Sequence, residues 1–257
     1  MSIRAAFFDI DGTLLSFRTH TVSPGTVQAL QQLRKKGIYT FISSGRPKIL
    51  IPPMPLEFDG YVTMNGGYCF MDNHVLLRNP IPQEETDRWL RFAREQGICT
   101  MIFTEREMFI NTHTDPVGVA IRDQLEFEMP PLLDINDMIG RETYQIIAVM
   151  PASRDAEVLS MLPHCRLPRW HPAFSDVVAV GNSKASGIGS ILQHLGLRQD
   201  ECIAFGDGAN DIEMLQYCGI GVAMGDADPL VKSHADYVTT SVDNEGILHA
   251  LQHFDIL

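Results

Sequence analysis

The stretch AAFFDIDGTLL, residues 5–15, decides how the chain reads. An apolar run without alternation meets two aspartates one residue apart, Asp9 and Asp11, and then breaks at Gly12. Such a run suits a short strand buried on both faces, the kind found in the middle of a parallel sheet. Its two acids then fall at the strand's carboxyl end, where open α/β sheets bind their ligands.

The flanking sequence supports that placement. In SPGTVQALQQLRKKG, Ser23 is an N-cap, Pro24 occupies the first helical position, Val27, Leu30 and Leu33 recur at helical spacing, and Gly37 stops the helix. IYTFI (38–42) follows as a second buried strand, and DGYVTMNGG (59–67) carries a third. The same alternation returns late. SKASGIGSILQHLG is a helix closing at Gly196, ECIAFGD a strand ending near Gly206, NDIEMLQYCG a helix capped by Asn210, and GIGVAMG and ADYVT further strands.

The middle of the chain changes character. IPQEETDRWLRFAREQG is an amphipathic helix, whereas CTMIFTE, EMFIN, YQIIAVM and SDVVAV read as strands, with SRDAEVLSML a helix between the last two. Hairpin-like pairs such as CTMIFTEREMFIN indicate an antiparallel α+β layer inserted into the α/β core. NPIP and the loop around GNSK punctuate its edges. The expected division is a core of residues 1–80 and 181–257 and an insert of residues 81–180.

Composition narrows the function classes. The formal net charge of −12 has the wrong sign for a surface that follows phosphate backbones, so no nucleic-acid partner is expected. Five scattered cysteines without a CxxC pair suggest neither a disulfide framework nor a zinc site, and point to a reducing, cytoplasmic setting. The apolar N-terminus is too short for a signal segment, and no run approaches membrane-spanning length, so no membrane partner is expected either.

Residues at the strand ends converge on one edge. They are Asp9 and Asp11 after the first strand, Ser43, Ser44, Gly45 and Arg46 after the second, and Gly206, Asp207, Gly208, Asn210 and Asp211 after the fourth. Lys184, at the start of the helix leading into the fourth strand, can reach the same edge. Asp9, Asp11 and Asp207 brought together would repel one another and lose water, an arrangement that asks for a cation. Oxygen donors without a nearby His or Cys suit Mg²⁺, and a phosphate is its natural companion. Ser44 and the N–H groups of Gly45 and Arg46 read as the start of a helix, with Pro47 just inside it, a setting that favours an anion. With the chain turning at Ile10 and Gly12, Asp9 can serve as nucleophile while Asp11 protonates the departing oxygen and later deprotonates water.

Taken in order, FFDIDGTL, ISSGR, the lysine of GNSKASG, and GDGANDIEML resemble the four motifs of the haloacid dehalogenase superfamily of phosphotransferases. FDGYVTMNGG, GVAMGDADPLVKSHADYVT and EGILHAL further resemble the Cof-type phosphatases, and SFRTH with RWHPAFSDVVAVG resembles the bacterial sugar-phosphate phosphatases within them. The core match covers about residues 3–70 and 175–253. This resemblance implies a Rossmann-like α/β core with a parallel sheet and an inserted α+β cap of the C2B type that sets specificity. It implies Asp9 as the nucleophile that forms an aspartyl-phosphate, Asp11 as general acid and base, Ser44 and Lys184 as catalytic and phosphoryl-binding residues, and Gly45 and Asn210 as substrate contacts. Mg²⁺ would be held by Asp9, the carbonyl of Asp11, and Asp207, with Asp211 supporting the metal shell. Two departures stand out: Ser44 replaces the commoner Thr and keeps the hydroxyl, and Asp226 replaces the commoner Asn, for which no account is offered.

Each motif alone has a plainer reading. DxDGT can be an acidic turn, GDGAND a calcium loop that lacks the later glutamate of an EF-hand, SSGRP a helix cap, and Lys184 a surface lysine. Their order in one chain favours catalysis. Arg46 is left outside the catalytic set as the partner of a surface acid, and His113, His164 and His171 read as surface or packing residues. Trp89, Phe92 and Trp170 are expected in the core of the insert, while Arg169, Trp170 and His171, near its return, are candidates for facing the substrate. The expected activity is Mg²⁺-dependent hydrolysis of small phosphorylated metabolites, hexose phosphates first. The alternatives are a sugar phosphomutase, a pyridoxal phosphate or nucleotide phosphatase, and a non-catalytic sensor of phosphorylated metabolites.

Overall fold

The computed structural model describes the chain apart from residues 1, 73, 126, 127 and 170, and apart from the side chains of residues 121, 124 and 125. It divides into two compact units, one of Met1–Gly45, Pro52–Arg78 and Ser183–Leu257, the other of Arg46–Ile51 and Asn79–Asn182.

The first unit begins with β1 (Ala5–Phe8), α1 (Pro24–Lys35), β2 (Tyr39–Ser43), β3 (Gly60–Thr63), β4 (Tyr68–Met71) and β5 (His74–Arg78). The second contains α2 (Gln83–Gln96), β6 (Thr100–Phe103), β7 (Met108–Ile110), α3 (Pro116–Leu125), α4 (Ile135–Met138), β8 (Gln145–Ala148), α5 (Asp155–Met161), β9 (Cys165–Arg166) and β10 (Ser175–Ala179). The chain then returns to the first unit with α6 (Lys184–Leu195), β11 (Cys202–Gly206), α7 (Ile212–Tyr217), β12 (Ile220–Ala223), α8 (Pro229–Lys232), β13 (Tyr237–Val238) and α9 (Gly246–His253).

The eight strands of the first unit run in the order β13-β12-β11-β1-β2-β3-β4-β5. Pairing is parallel from β13 through β3, so β1 lies between two parallel partners, β11 and β2. Every residue of β1 is buried, as its unbroken apolar run requires. Phe7 stacks on Phe41 with ring centroids 4.8 Å apart, and Phe8 stacks on Phe205 at 5.1 Å. Adjacent residues of a strand face opposite sides, so these two stacks fill both faces of the sheet. Each buried phenylalanine contributes about 2 kcal/mol in apolar burial. Packing on both sides therefore fixes where β1 ends and where Asp9 begins.

The third strand lies within DGYVTMNGG, as its sequence suggests: β3 runs to Thr63, a left-handed turn takes Met64–Gly66, and β4 and β5, which the sequence reading did not name, extend the sheet as antiparallel neighbours. The Asn65-Gly66 pair carries the signal for that reversal, because both residue types tolerate positive φ. A correction concerns the segment after β2. No α-helix starts at Ser44–Arg46; only a single 3₁₀ turn, Lys48–Leu50, follows Pro47. Pro52, Pro53 and Pro55 lie directly downstream, and proline excludes helical conformation both at its own position inside a helix and at the residue before it.

In the second unit the sheet order is β7-β6-β8-β10-β9, with every pair antiparallel. Trp89 is fully buried in its core, with Nε1 donating to Thr100 Oγ1 at 2.9 Å, and Phe92 packs at a tilt beside it. Arg169 does not stand free for a ligand. Its guanidinium pairs with Asp155 at 2.5 Å and donates to the carbonyls of Met150 (3.0 Å) and Phe174 (2.6 Å), while the His171 ring stacks on Phe174. These two side chains stitch the approach to β10; Trp170 lies outside the described residues.

Candidate active site

The site forms at the carboxyl edge of the parallel sheet, within the first unit. β1 delivers Asp9, whose N–H donates to Phe205 O at 3.0 Å as though the strand continued for one more residue. The chain then reverses. Ile10 O accepts from Leu14 N (3.0 Å) and Leu15 N (2.8 Å), and Gly12 N donates to Leu15 O at 2.8 Å. Gly12 sits at φ +82°, and a Cβ there would come within 2.3 Å of Asp207 Oδ2. Glycine is needed twice over, for the backbone angle and for the close approach of Asp207. Thr13 Oγ1 completes the contact by donating to Asp207 Oδ1 at 3.2 Å.

β11, the parallel neighbour of β1, supplies the other acids. Asp207 N and Gly208 N donate to Asp211 Oδ2 at 3.0 and 2.9 Å, which turns the chain back after the strand and fixes the Asp211 carboxylate. Asn210 lies inside the 3₁₀ turn Ala209–Asp211 and does not cap α7, which starts at Ile212. Its side chain instead donates to Asn65 Oδ1 at 3.0 Å.

Lys184 is the first residue of α6, whose N-cap Ser183 forms a capping box with Ser186. Its side chain is completely buried. Nζ donates to Asp9 Oδ1 at 2.5 Å and also to Asp211 Oδ1. One oxygen each from Asp9, Asp207 and Asp211 lies within 4.8 Å of the others, the sole acidic or metal-ligating group of this kind among the described residues. The Asp11 carboxylate is not in that group. Ser44 is buried at the end of β2, its N–H donating to Val62 O at 2.8 Å and its carbonyl accepting from Asn65 N at 3.2 Å. Gly45 follows, close to the side chains of Asn65 and Asn210.

Burial raises the Asp9 carboxyl well above its ordinary value; Lys184 opposes the rise, while Asp211, Asp207 and Asp11 add to it. Burial likewise pushes Asp207 up to about 7, with Asp211 reinforcing and Lys184 resisting. Burial would lower Lys184, but Asp211 and Asp9 outweigh it and hold the ammonium above its usual range. Asp9 and Asp207, buried beside one ammonium, are therefore biased toward their protonated forms unless another positive charge takes the proton's place. With oxygen donors only, the residues fit a hard divalent cation.

Asn65 is the functional candidate that motif reading passed over. Its signal was the Asn-Gly pair, which marks a turn and says nothing about where the carboxamide goes.

The family model for haloacid dehalogenase-like hydrolases matches residues 6–251. The chain belongs to that family. A structure of the subclass IIB sugar phosphatase BT4131 superposes with a TM-score of 0.92 and 39% identity, covering 99% of this chain and 100% of that one. The Bacillus subtilis (strain 168) protein named "Putative phosphatase YkrA" is 31% identical over 261 residues, covering 100% of both chains. The pyridoxal phosphate phosphatase YbhA of Escherichia coli (strain K12) is 29% identical over 261 residues, covering 93% of each. As a member of the family whose relatives over its full length are phosphatases, the protein is an enzyme of the phosphatase class. Among the described residues, no helix is long and apolar enough to cross a membrane.

Proposed function

We propose that the protein is a Mg²⁺-dependent phosphomonoesterase for small phosphorylated metabolites, with hexose phosphates as its main substrates. The observation that carries the chemistry is the buried ammonium of Lys184 shared by Asp9 and Asp211, with Asp207 in reach of both acids. Asp9 attacks phosphorus and takes the phosphoryl group as an aspartyl-phosphate. Asp11, beyond the turn at Ile10, donates a proton to the departing alcohol and then removes one from the water that hydrolyses the acyl phosphate. Lys184 and the Ser44 hydroxyl balance charge on the phosphoryl oxygens, which is most of what phosphoryl transfer requires of a protein. Asp9, the Asp11 carbonyl and Asp207, backed by Asp211, would hold the Mg²⁺, whose charge would offset that of the phosphate.

Within this reading, the second unit acts as the cap that chooses the substrate, and the five cysteines, all free and buried, suit a reducing compartment such as the cytoplasm. The sugar phosphatase BT4131, 39% identical over the whole chain, favours a sugar phosphate, and the pyridoxal phosphate phosphatase, at 29%, keeps pyridoxal phosphate as the second candidate. Phosphate release from a panel of hexose phosphates, pyridoxal phosphate and nucleoside monophosphates, with Mg²⁺ and with chelator, tests the proposal. Release from hexose phosphates only with Mg²⁺ is expected. Isomerised sugar phosphate without free phosphate would make the protein a mutase, and turnover unaffected by Asp9→Asn would remove the mechanism.

A further inference from the structure

Three consecutive residues, Met64, Asn65 and Gly66, adopt positive φ angles of 50°, 51° and 88°. All three are buried in the turn between β3 and β4. Two successive non-glycine residues in the left-handed region are costly and persist only where their surroundings hold them. The surroundings here are the loops of the site. Asn65 N donates to Ser44 O at 3.2 Å, and Asn65 Oδ1 accepts from Asn210 Nδ2 at 3.0 Å. A Cβ on Gly45 would lie 3.3 Å from both terminal atoms of the Asn65 carboxamide. One residue on, a Cβ at Gly66 would fall 2.0 Å from the carbonyl of Ser183, the N-cap of the helix that begins with Lys184. A single turn thus touches the loops bearing Ser44, Lys184 and Asn210.

Glycine adopts this backbone more readily than asparagine does. What asparagine adds is its carboxamide, whose Oδ1 accepts from Asn210. We propose that Asn65 is a positioning residue of the active site: its carboxamide, presented by the left-handed turn, holds Asn210 in register with the Ser44–Gly45 loop, so that groups on β2 and β11 meet one phosphorylated ligand together. The inference rests on the phosphatase reading above and adds to it a residue that acts through Asn210.

Asn65→Gly separates the two roles of the residue, since it relaxes the backbone while removing the side chain that carries the amide. The expected result is a thermal midpoint equal to or above that of the native protein, with kcat on a hexose phosphate lowered by about tenfold to a hundredfold, the range that small misplacements of reacting groups produce. Affinity for orthovanadate in the presence of Mg²⁺, followed by calorimetry, should fall with it. On an Asn210→Ala background, Asn65→Gly should have no further effect, because its partner is already gone. Unchanged kcat, KM and vanadate affinity in Asn65→Gly would overturn the inference, as would full losses that multiply in the double variant. Were the native protein to release no phosphate from any substrate, the phosphatase reading itself would fail, and the vanadate measurements would still decide whether Asn65 and Asn210 act as a pair.

Discussion

Lys184 Nζ lies 2.5 Å from Asp9 Oδ1 and also pairs with Asp211, so one buried ammonium joins the acid at the end of β1 to the acid that closes the turn after β11. Removing one member of a buried ion pair leaves the others uncompensated in a poorly solvated place, at a cost of about 3–5 kcal/mol. Lys184→Met keeps the length of the stem and deletes the charge. The metal-free variant should lose about that much stability in urea unfolding, and phosphate release should fall by about a thousandfold, as removal of a charge-stabilising group commonly does. A variant with native stability in chelator would show that Lys184 is not the principal counter-charge of the cluster.

The same cluster predicts how the metal-free protein responds to pH. Asp207 is raised from 3.8 in the unfolded chain to about 7 in the fold, and Asp9 is raised in the same direction. The folded state therefore binds more protons than the unfolded state in this window, and stability falls as pH rises from about 4 to about 7. Lys184, held above its usual range, contributes stability that is lost only on titration at more alkaline pH. Thermal midpoints in chelator should decline across the window. Mg²⁺ should restore more stability at the upper end than at the lower, because it competes with protons for the same oxygens. Parallel pH profiles with and without Mg²⁺ would argue against a cation at these carboxylates.

Asp207→Asn separates stability from function. The substitution removes one of three crowded negative charges and keeps the shape that accepts the Thr13 hydroxyl. Relief of like-charge repulsion should raise the metal-free thermal midpoint, while Mg²⁺ affinity drops by more than about tenfold. Reduced stability in chelator together with native Mg²⁺ affinity would count against Asp207 as a ligand. Gly12→Ala should instead harm both properties, since its Cβ meets the Asp207 carboxylate at 2.3 Å and φ is +82°.

Residues 5–15 made the central strand and its two terminal acids legible because burial on both faces and a glycine break are local properties of the chain. The α1 cap at Ser23 and the α6 start at Lys184 were legible for the same reason. What escaped the sequence was decided by residues outside each motif. Asn210 looks like a helix cap, yet its carboxamide goes to Asn65, 145 residues away. SSGRP looks like a helix start, but the prolines downstream allow only one 3₁₀ turn, so a phosphate there would meet the Ser44 hydroxyl and local N–H groups without a helix terminus. Arg169 looks available for substrate until Asp155 and the surrounding carbonyls are seen to occupy it. Hydrophobic pattern reports which face is buried; it does not report which polar group satisfies which.

Asp11 offers a test that distinguishes proton transfer from charge stabilisation. Its carboxylate stands outside the group formed by Asp9, Asp207 and Asp211, on the turn closed by the bridge between Asp11 and Leu15. If Asp11 supplies a proton to the leaving oxygen, the loss in Asp11→Asn must depend on how much the leaving group needs that proton. An alkoxide is a poor leaving group, whereas p-nitrophenolate departs unaided. Turnover of a hexose phosphate should fall by about a hundredfold to ten-thousandfold, the usual contribution of general acid–base catalysis. In single-turnover experiments with p-nitrophenyl phosphate, the release of nitrophenolate should fall far less. Its first turnover should then outrun the later ones, because the variant also lacks the base that activates water against the aspartyl-phosphate. Equal losses for the two substrates in the first turnover would assign Asp11 to metal or phosphate binding instead of proton transfer.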